Sequence, residues 1–207
     1  MKRTKKVLSF VLCALLLVSA TVATTVAYLT DDDSVTNTFT VGNVKITLDE
    51  KDVDNSTEDA ERDQANSYKL LPGQTYVKDP TIHVSDEDNI EDCYLFVKVT
   101  NEIETIEGAK TVETQMLEKG WEKLEGVTDV WYWTGDKDAT NVTEKQVAVP
   151  KDTDVYVFDN FTIASTVDNT TLETYKGKQI IVKAYAIQTA GFDGKTAKEI
   201  WGAAKFE

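Results

Sequence analysis

Few side chains in this sequence have the types and spacing that catalysis requires. The chain has one histidine, His83, and two cysteines, of which only Cys93 lies outside the apolar N-terminal run. The H-E-x-x-H motif of zinc proteases and the G-x-S-x-G motif of serine hydrolases are both absent. A Cys93–His83 pair on two strands is the one nucleophilic arrangement left, and two such residues more often serve packing. We therefore predict no catalytic residue and no enzyme activity.

Two acidic clusters are candidate calcium ligands. One is the run Asp31, Asp32 and Asp33, and the other is the Asp-Glu-Asp-Asn run at residues 86–89. Calcium needs six to eight oxygen ligands in a shaped loop, and neither run has the spaced D-x-[DN]-x-[DN]-G pattern. We therefore predict solvated acidic surfaces with no metal and no cofactor, and calcium binding is the alternative.

The aromatic run Trp131-Tyr132-Trp133 has two interpretations. Exposed aromatic rings can form a platform for carbohydrate. Alternation along a strand, however, places Trp131 and Trp133 on the same face. Large aromatic side chains on one face are typical of a core, so we predict core packing for this pair.

The first 27 residues have the pattern of a secretory signal peptide. Residues 1–6 are basic, residues 7–18 are almost entirely apolar, and Thr25 and Ala27 place small residues before Tyr28. We therefore predict cleavage at about Tyr28, secretion, and no membrane attachment after cleavage. A retained membrane anchor is the alternative, because the uncharged stretch 7–27 is long enough to span a bilayer.

The predicted mature chain, residues 28–207, is strongly acidic. The full chain has 22 basic and 36 acidic residues and a net charge of −14. Residues 1–27 contain four basic residues and no acidic one, so 18 basic and 36 acidic residues remain, a net charge of −18. Such a charge argues against nucleic acid or anionic lipid as a partner. Only Cys93 remains after cleavage, so this single domain must fold without an internal disulfide.

Several segments have the period of β-strands. Residues 93–100 alternate cleanly, with apolar side chains at 93, 95, 97 and 99 on one face. Residues 155–163 predict another strand, and residues 74–84 predict a strand region that Asp79-Pro80 interrupts. Residues 178–188 are apolar on both faces, which predicts a central strand.

The remaining signals predict turns, a helix and loops. Pro72-Gly73 fits the central positions of a type II turn. Thr111 as a cap and Gly120 as a stop predict one short helix over residues 111–119. Residues 49–67 are acidic and lack aromatic side chains, which predicts an exposed loop. We expect an all-β fold: an antiparallel β-sandwich with one short helix and long acidic loops.

Three segments resemble the TasA/camelysin family of exported proteins from Gram-positive bacteria. They are Ala27-Tyr28-Leu29-Thr30-Asp31 followed by N-T-F-T-V-G-N at residues 37–43, L-P-G-Q at 71–74 followed by Lys78-Asp79, and A-Y-A-I-Q at 184–188. The resemblance implies a jelly-roll type of sandwich, cleavage by a signal peptidase of the SipW type, and a place in matrix fibres. The metalloprotease activity attributed to camelysin is not carried over, because no matching metal motif occurs here.

Cleavage frees residues 28–41 as an N-terminal arm with spaced apolar side chains at Val35, Phe39 and Val41. Such a strand can join its own sheet or insert into the open sheet edge of a neighbour. Insertion repeated head to tail makes a fibre. We predict a secreted structural protein of the cell surface or biofilm matrix, with copies of itself or related matrix subunits as partners. A monomeric extracellular module that binds carbohydrate or protein is the main alternative, ahead of a camelysin-like protease.

Overall fold

The computed structural model describes residues 43–55, 61–87, 90–135 and 145–206. The chain divides into the units Met1–Thr40 and Val41–Glu207, and every described residue lies in the second. The predicted signal peptide lies outside the described residues. So do its cleavage residues Thr25, Ala27 and Tyr28, and the assembly-strand residues Val35, Phe39 and Val41.

Ten strands and three α-helices make up the described part of the chain. The strands are β1 (Ile46–Lys51), β2 (Arg62–Asp63), β3 (Thr75–Val77), β4 (Thr81–Val84), β5 (Cys93–Asn101), β6 (Trp121–Lys123), β7 (Val130–Trp133), β8 (Thr153–Tyr156), β9 (Asn160–Thr162) and β10 (Ile180–Gln188). The helices are α1 (Val112–Lys119), α2 (Asn169–Thr174) and α3 (Ala197–Ala204), and Glu104–Ile106 forms one 3₁₀ turn.

The strands form antiparallel sheets, which confirms the predicted β class. One four-stranded sheet has the order β2-β1-β4-β8, a second has the order β10-β5-β7-β6, and β3 pairs with β9 in a small ribbon. The inner faces of both four-stranded sheets contribute to one buried cluster, which includes Ile82, Leu95, Val97, Trp131 and Val155. A second cluster lies on the other face of the β5 sheet, where Ile200 of α3 packs near Phe96.

Several local predictions are confirmed. On β5, Cys93, Leu95, Val97 and Val99 are all buried, as their alternation predicts. Helix α1 begins after Thr111, whose hydroxyl accepts a hydrogen bond from the Thr114 backbone N–H, and ends at Gly120 with φ of 98°. The predicted type II turn is supported by the positive φ of Gly73, 73°.

Four expectations differ from the structure. Helices α2 and α3 are present besides the one predicted helix. Residues 155–163 contain two short strands, β8 and β9, in different sheets. Part of the predicted exposed acidic loop 49–67 is strand, and Glu50 within it is only 5% exposed.

The fourth difference concerns β10, which the sequence predicts to be central. Among the described residues β10 pairs with β5 alone, so it lies at a sheet edge. Its two apolar faces are covered by two different parts of the structure. One face packs on the main core through Ile180 and Val182, and the other contacts the aromatic side chains of α3 through Tyr185.

Candidate functional site

A groove of about 1130 Å³ lies between β1 and β10. On one wall, β2 pairs only with Glu50 and Lys51, so in the described part of the chain residues 46–49 have a strand neighbour on one side only, β4. On the other wall, β10 has no described strand beyond it. Two strands with partly unpaired edges thus border the same groove, although the Gln64 side chain donates to the Leu48 carbonyl at 3.5 Å. The remaining backbone N–H and C=O groups are what an added strand recognises.

The groove walls are apolar where they face inward. Six side chains that pack against the main core remain only partly covered: Ile46, Leu48, Tyr68, Leu70, Ile180 and Val182. The alternation along β1 and β10 directs these side chains inward, while Thr47 and Ile181 lie exposed on the opposite faces. Further burial of this apolar surface would stabilise whatever covers it.

An aromatic group supports one end of the groove. Tyr76 stacks on Phe161 with ring centroids 5.0 Å apart, and Tyr68 meets the Phe161 ring edge-on at 5.1 Å. The Tyr68 hydroxyl donates to the Val77 carbonyl at 2.9 Å, and the Tyr76 hydroxyl donates to the Lys69 carbonyl at 2.6 Å. Burial, with the charges of nearby carboxylates, raises the pKa of Tyr68, so its hydroxyl remains a donor.

An ion pair borders the groove near the end of β1. The ammonium of Lys78 lies 2.5 Å from a carboxylate oxygen of Glu50, and both side chains are nearly buried. Asn66 donates its amide to the other oxygen of Glu50 at 3.0 Å. Glu50 is therefore neutralised and hydrogen-bonded on both oxygens, which is what a buried carboxylate requires.

The opposite face of the β1 sheet carries a polar network around His83. Its Nδ1 lies 2.6 Å from a carboxylate oxygen of Asp154, and its Nε2 lies 3.1 Å from one of Asp49. Arg62 contacts the same Asp49 carboxylate and also reaches Asp79 at 3.1 Å. Burial raises the pKa of Asp49, but hydrogen bonds from Arg62 and His83 outweigh it, and the net pKa is lowered.

The structure does not bring His83 and Cys93 together as a catalytic pair. Cys93 begins β5 in the other sheet and is fully buried in the core, whereas both ring nitrogens of His83 face carboxylates. Burial, with a smaller contribution from the charge of Asp92, raises the pKa of the Cys93 thiol to about 11. A thiol of that kind stays protonated and is a poor nucleophile.

Among the described residues, one group of three carboxylates comes together, and it lies outside both predicted calcium clusters. Carboxylate oxygens of Asp52, Asp54 and Asp63 lie within 4.8 Å of one another, close enough to share a cation. Residues 31–33, 88 and 89 lie outside the described part of the chain, and Glu87 pairs with Lys45. Sequence reasoning missed this group because Asp63 is distant in the chain and joins the other two only when β2 pairs with β1.

The tryptophans of β7 pack as predicted. Trp131 is buried in the main core, and Trp133 packs edge-on against the buried Trp121 with ring centroids 5.2 Å apart. This pair therefore contributes packing rather than a flat exposed platform.

No helix among the described residues is long and apolar enough to cross a membrane. No protein-family model, curated protein or solved structure matches the chain. The function must therefore be argued from the groove and its surroundings.

Proposed function

We propose that this protein is a secreted structural subunit of the cell surface or extracellular matrix, and that it assembles when residues 28–41 of one copy enter the groove of the next. The observation that carries the proposal is the groove between β1 and β10, which, in the part of the chain that the structure describes, combines two partly unpaired strand edges with half-covered apolar walls. An extended strand satisfies both needs at once, because its backbone pairs with an edge while alternate side chains fill the groove.

The proposed occupant has the right pattern and length. Val35, Phe39 and Val41 share one parity, and serine or threonine occupies the other parity from Ser34 to Thr40. Such a strand places apolar side chains toward the groove and hydroxyls toward solvent. Eight extended residues span about 26 Å, which is enough to run the length of a six-residue strand such as β1.

The position of the segment in the chain also fits. In the sequence, residue 41 precedes the start of β1 at Ile46 by only five positions, so the arm is joined directly to a strand that forms a groove wall. A segment that enters a neighbour's groove makes a head-to-tail contact, and such a contact repeats without closing into a fibre. A segment that folds into its own groove makes a monomer instead.

The negative charge of the protein favours an uncharged segment as the part that enters the groove. The chain is acidic, with a net charge of −14, so copies repel one another at a distance. Residues 34–41 carry no charge, and the carboxylates beside the groove, Glu50 and Asp49, are paired with Lys78 and Arg62. Residues 34–41 therefore add no charge to the groove, whereas Asp31, Asp32 and Asp33 of the same arm are best placed beyond its end, in solvent.

The proposal also covers the type of sandwich, the processing of the signal peptide and the binding partners. We assign the two four-stranded sheets with their shared core to a jelly-roll type of sandwich, in line with the TasA-like segments of the sequence. Cleavage near Tyr28 by a SipW-type signal peptidase would release the arm and thereby permit docking. The partners are then copies of this chain or related matrix subunits.

The test compares two substitutions in the arm of the exported protein. Phe39→Asp places a charge on the side that enters the groove, whereas Thr38→Asp places the same charge on the opposite side. Light scattering and negative-stain microscopy across protein concentration should show filaments for the native protein and for Thr38→Asp, and none for Phe39→Asp.

Two further results would change the conclusion. Equal assembly by both variants would rule out this strand orientation in the groove. A native protein that stays monomeric at every concentration, with or without related subunits, would instead favour a monomeric binding module. A synthetic peptide of residues 34–41 should inhibit assembly, and the same peptide with aspartate in place of Phe39 should not.

A further inference from the structure

The two hydrogen-bond contacts of the His83 ring fit its protonated, positively charged form. Both ring nitrogens lie within hydrogen-bond distance of carboxylate oxygens, Asp154 at 2.6 Å and Asp49 at 3.1 Å. A neutral imidazole has a single N–H and directs a lone pair from its other nitrogen, so it can donate to only one of these carboxylates. The imidazolium form has two N–H groups and satisfies both. The geometry therefore matches the protonated ring.

The same contacts connect three adjacent strands. His83 lies on β4, Asp49 on β1 and Asp154 on β8, and the register places His83 directly opposite Asp154. We infer that the protonated ring of His83 links β1 and β8 to β4 through its two hydrogen bonds, and we call this link the His83 tie. The strand β1, which forms one wall of the groove, is held in place while the ring is protonated and becomes more mobile when the ring loses its proton.

The surrounding charges favour the protonated ring. Among the described residues, Arg62 is the cation besides His83 that contacts Asp49, and it is shared with Asp79. Loss of the His83 proton leaves Arg62 to balance Asp49 and Asp79, and it removes the positive charge that faces Asp154. The charged groups on the elements around His83 are Asp49 and Lys51 of β1, Arg62 of β2, Asp79 before β4, and Asp152 and Asp154 at β8.

The direction of the pH effect follows. Burial lowers the pKa of His83, but hydrogen bonds to Asp49 and Asp154 and the charges of these residues outweigh it, so the pKa is raised above its ordinary value. A raised pKa means that the tie contributes its full stability below about pH 6.5 and loses it as the pH rises through the higher pKa of the folded protein.

The tie acts on the groove through Asp49. This residue lies between Leu48 and Glu50, whose side chains line the groove. Residues 46–49 have β4 as their only strand partner in the described structure, with side-chain hydrogen bonds from Gln64 and Arg62 beside them, so the contacts across β4 contribute to how firmly this wall is held. An effect on assembly rests on the proposed function, whereas the tie itself does not.

The first measurement is amide hydrogen exchange in the exported protein, corrected for the intrinsic effect of pH on exchange. Between about pH 6 and about pH 9, we expect the protection of residues 46–50 to fall by about three- to tenfold relative to β5. His83→Gln should show the lower protection at both pH values. Glu107→Gln should keep the native response, which excludes the partly buried carboxyl of Glu107 as the source.

A second measurement follows the histidine directly. The chain has one histidine, so its imidazole resonances can be followed by NMR without ambiguity. The native pKa should lie above about 6.5 and should fall in Asp154→Asn. A native pKa at or below that value, or protection of β1 that does not change with pH, would overturn the inference.

Binding of the 34–41 peptide separates this inference from the proposed function. Weaker binding at about pH 9 than at about pH 6, lost in His83→Gln, supports both. Equal binding at the two pH values overturns regulation of the groove and leaves docking intact. If the peptide binds at neither pH, docking is overturned. The hydrogen-exchange and NMR results then still decide whether the His83 tie exists.

Discussion

Strands β5 and β10 have nine residues each, pair with each other along their whole length, and carry mainly apolar side chains. Their burial differs. On β5, Leu95, Phe96 and Val97 are fully buried. No residue of β10 is fully buried, and Ile181 is 40% exposed.

The difference comes from what lies beyond each strand. β5 has β10 on one side and β7 on the other, so strands pair with both of its edges, and five of its nine residues are buried. β10 has a strand on one side only in the described structure, and its other edge borders the groove. The apolar side chains of β5 therefore pack in the folded core. Those of β10 that face the groove, as we propose, also contact a second copy of the protein.

The largest expected effect is on β5. Leu95→Ala should lower the free energy of unfolding by about 3 to 4 kcal/mol, because it leaves a cavity where the side chain is fully buried. Urea unfolding followed by tryptophan fluorescence measures the change. Lys98→Ala, at an exposed position of the same strand, is the control and should change stability by less than about 0.5 kcal/mol. Similar losses in the two variants would contradict an enclosed β5.

The second prediction concerns the buried ion pair beside the groove. Lys78→Met should cost about 2 to 3 kcal/mol, because Glu50 loses its counter-charge while Asn66 still donates to it. The double variant Lys78→Met, Glu50→Gln should recover most of this loss in urea unfolding. A double variant as unstable as the single one would mean that the lysine stem, and not the charge, is what matters.

The third prediction is a pH dependence at the end of β5. Burial raises the pKa of Glu107 to about 7, against hydrogen bonds from the Val112 backbone and the Asn101 side chain. The unfolded carboxyl loses its proton near pH 4.5, so the contribution of Glu107 to stability is greatest below that pH and declines as the pH rises to about 7. We expect a decline of about 1 to 2 kcal/mol that is reduced in Glu107→Gln. Urea midpoints at several pH values measure it, and an identical slope in both proteins would contradict it.

The smallest effect on folding stability is expected for a substitution on β10, and this substitution best distinguishes β10 from β5. Val182→Ala should cost the monomer about 1 kcal/mol or less, because the side chain is only partly covered. If the groove receives a strand, the same change should raise the protein concentration needed for assembly several-fold. Lys183→Ala, at the exposed neighbouring position, should leave that concentration unchanged. Loss of folding stability without any effect on assembly would place the contact elsewhere.

Local patterns were sufficient for elements whose signals lie within a few residues. The alternation of Cys93 to Val99, the cap and stop of α1 at Thr111 and Gly120, and the turn at Gly73 are all present as predicted. Each depends on side-chain period or on the backbone preference of one residue. Short helices such as α2 and α3 lack a long period and were missed.

The sequence predicted a central β10, whereas β10 lies at a sheet edge in the part of the chain that the structure describes, and the difference has a physical reason. A strand that is apolar on both faces must be covered on both faces, but sequence does not say whether strands or a helix supply the cover. Here α3 covers the second face, with Trp201 against Tyr185 at 5.4 Å between ring centroids. The period of a strand reports the burial of its faces and is silent about its edges.

The sequence by itself determined the strand at residues 93–100 with its buried face, the cap and stop of α1, and that one histidine and one cysteine outside the apolar N-terminal run offer no recognisable catalytic motif. Only the tertiary structure decided which strand edges border one another, and hence the groove between β1 and β10. It also placed His83 between carboxylates that stand 34 and 71 positions away in the chain. Local patterns reflect interactions between near neighbours, whereas grooves and charge networks depend on how distant strands are ordered in a sheet.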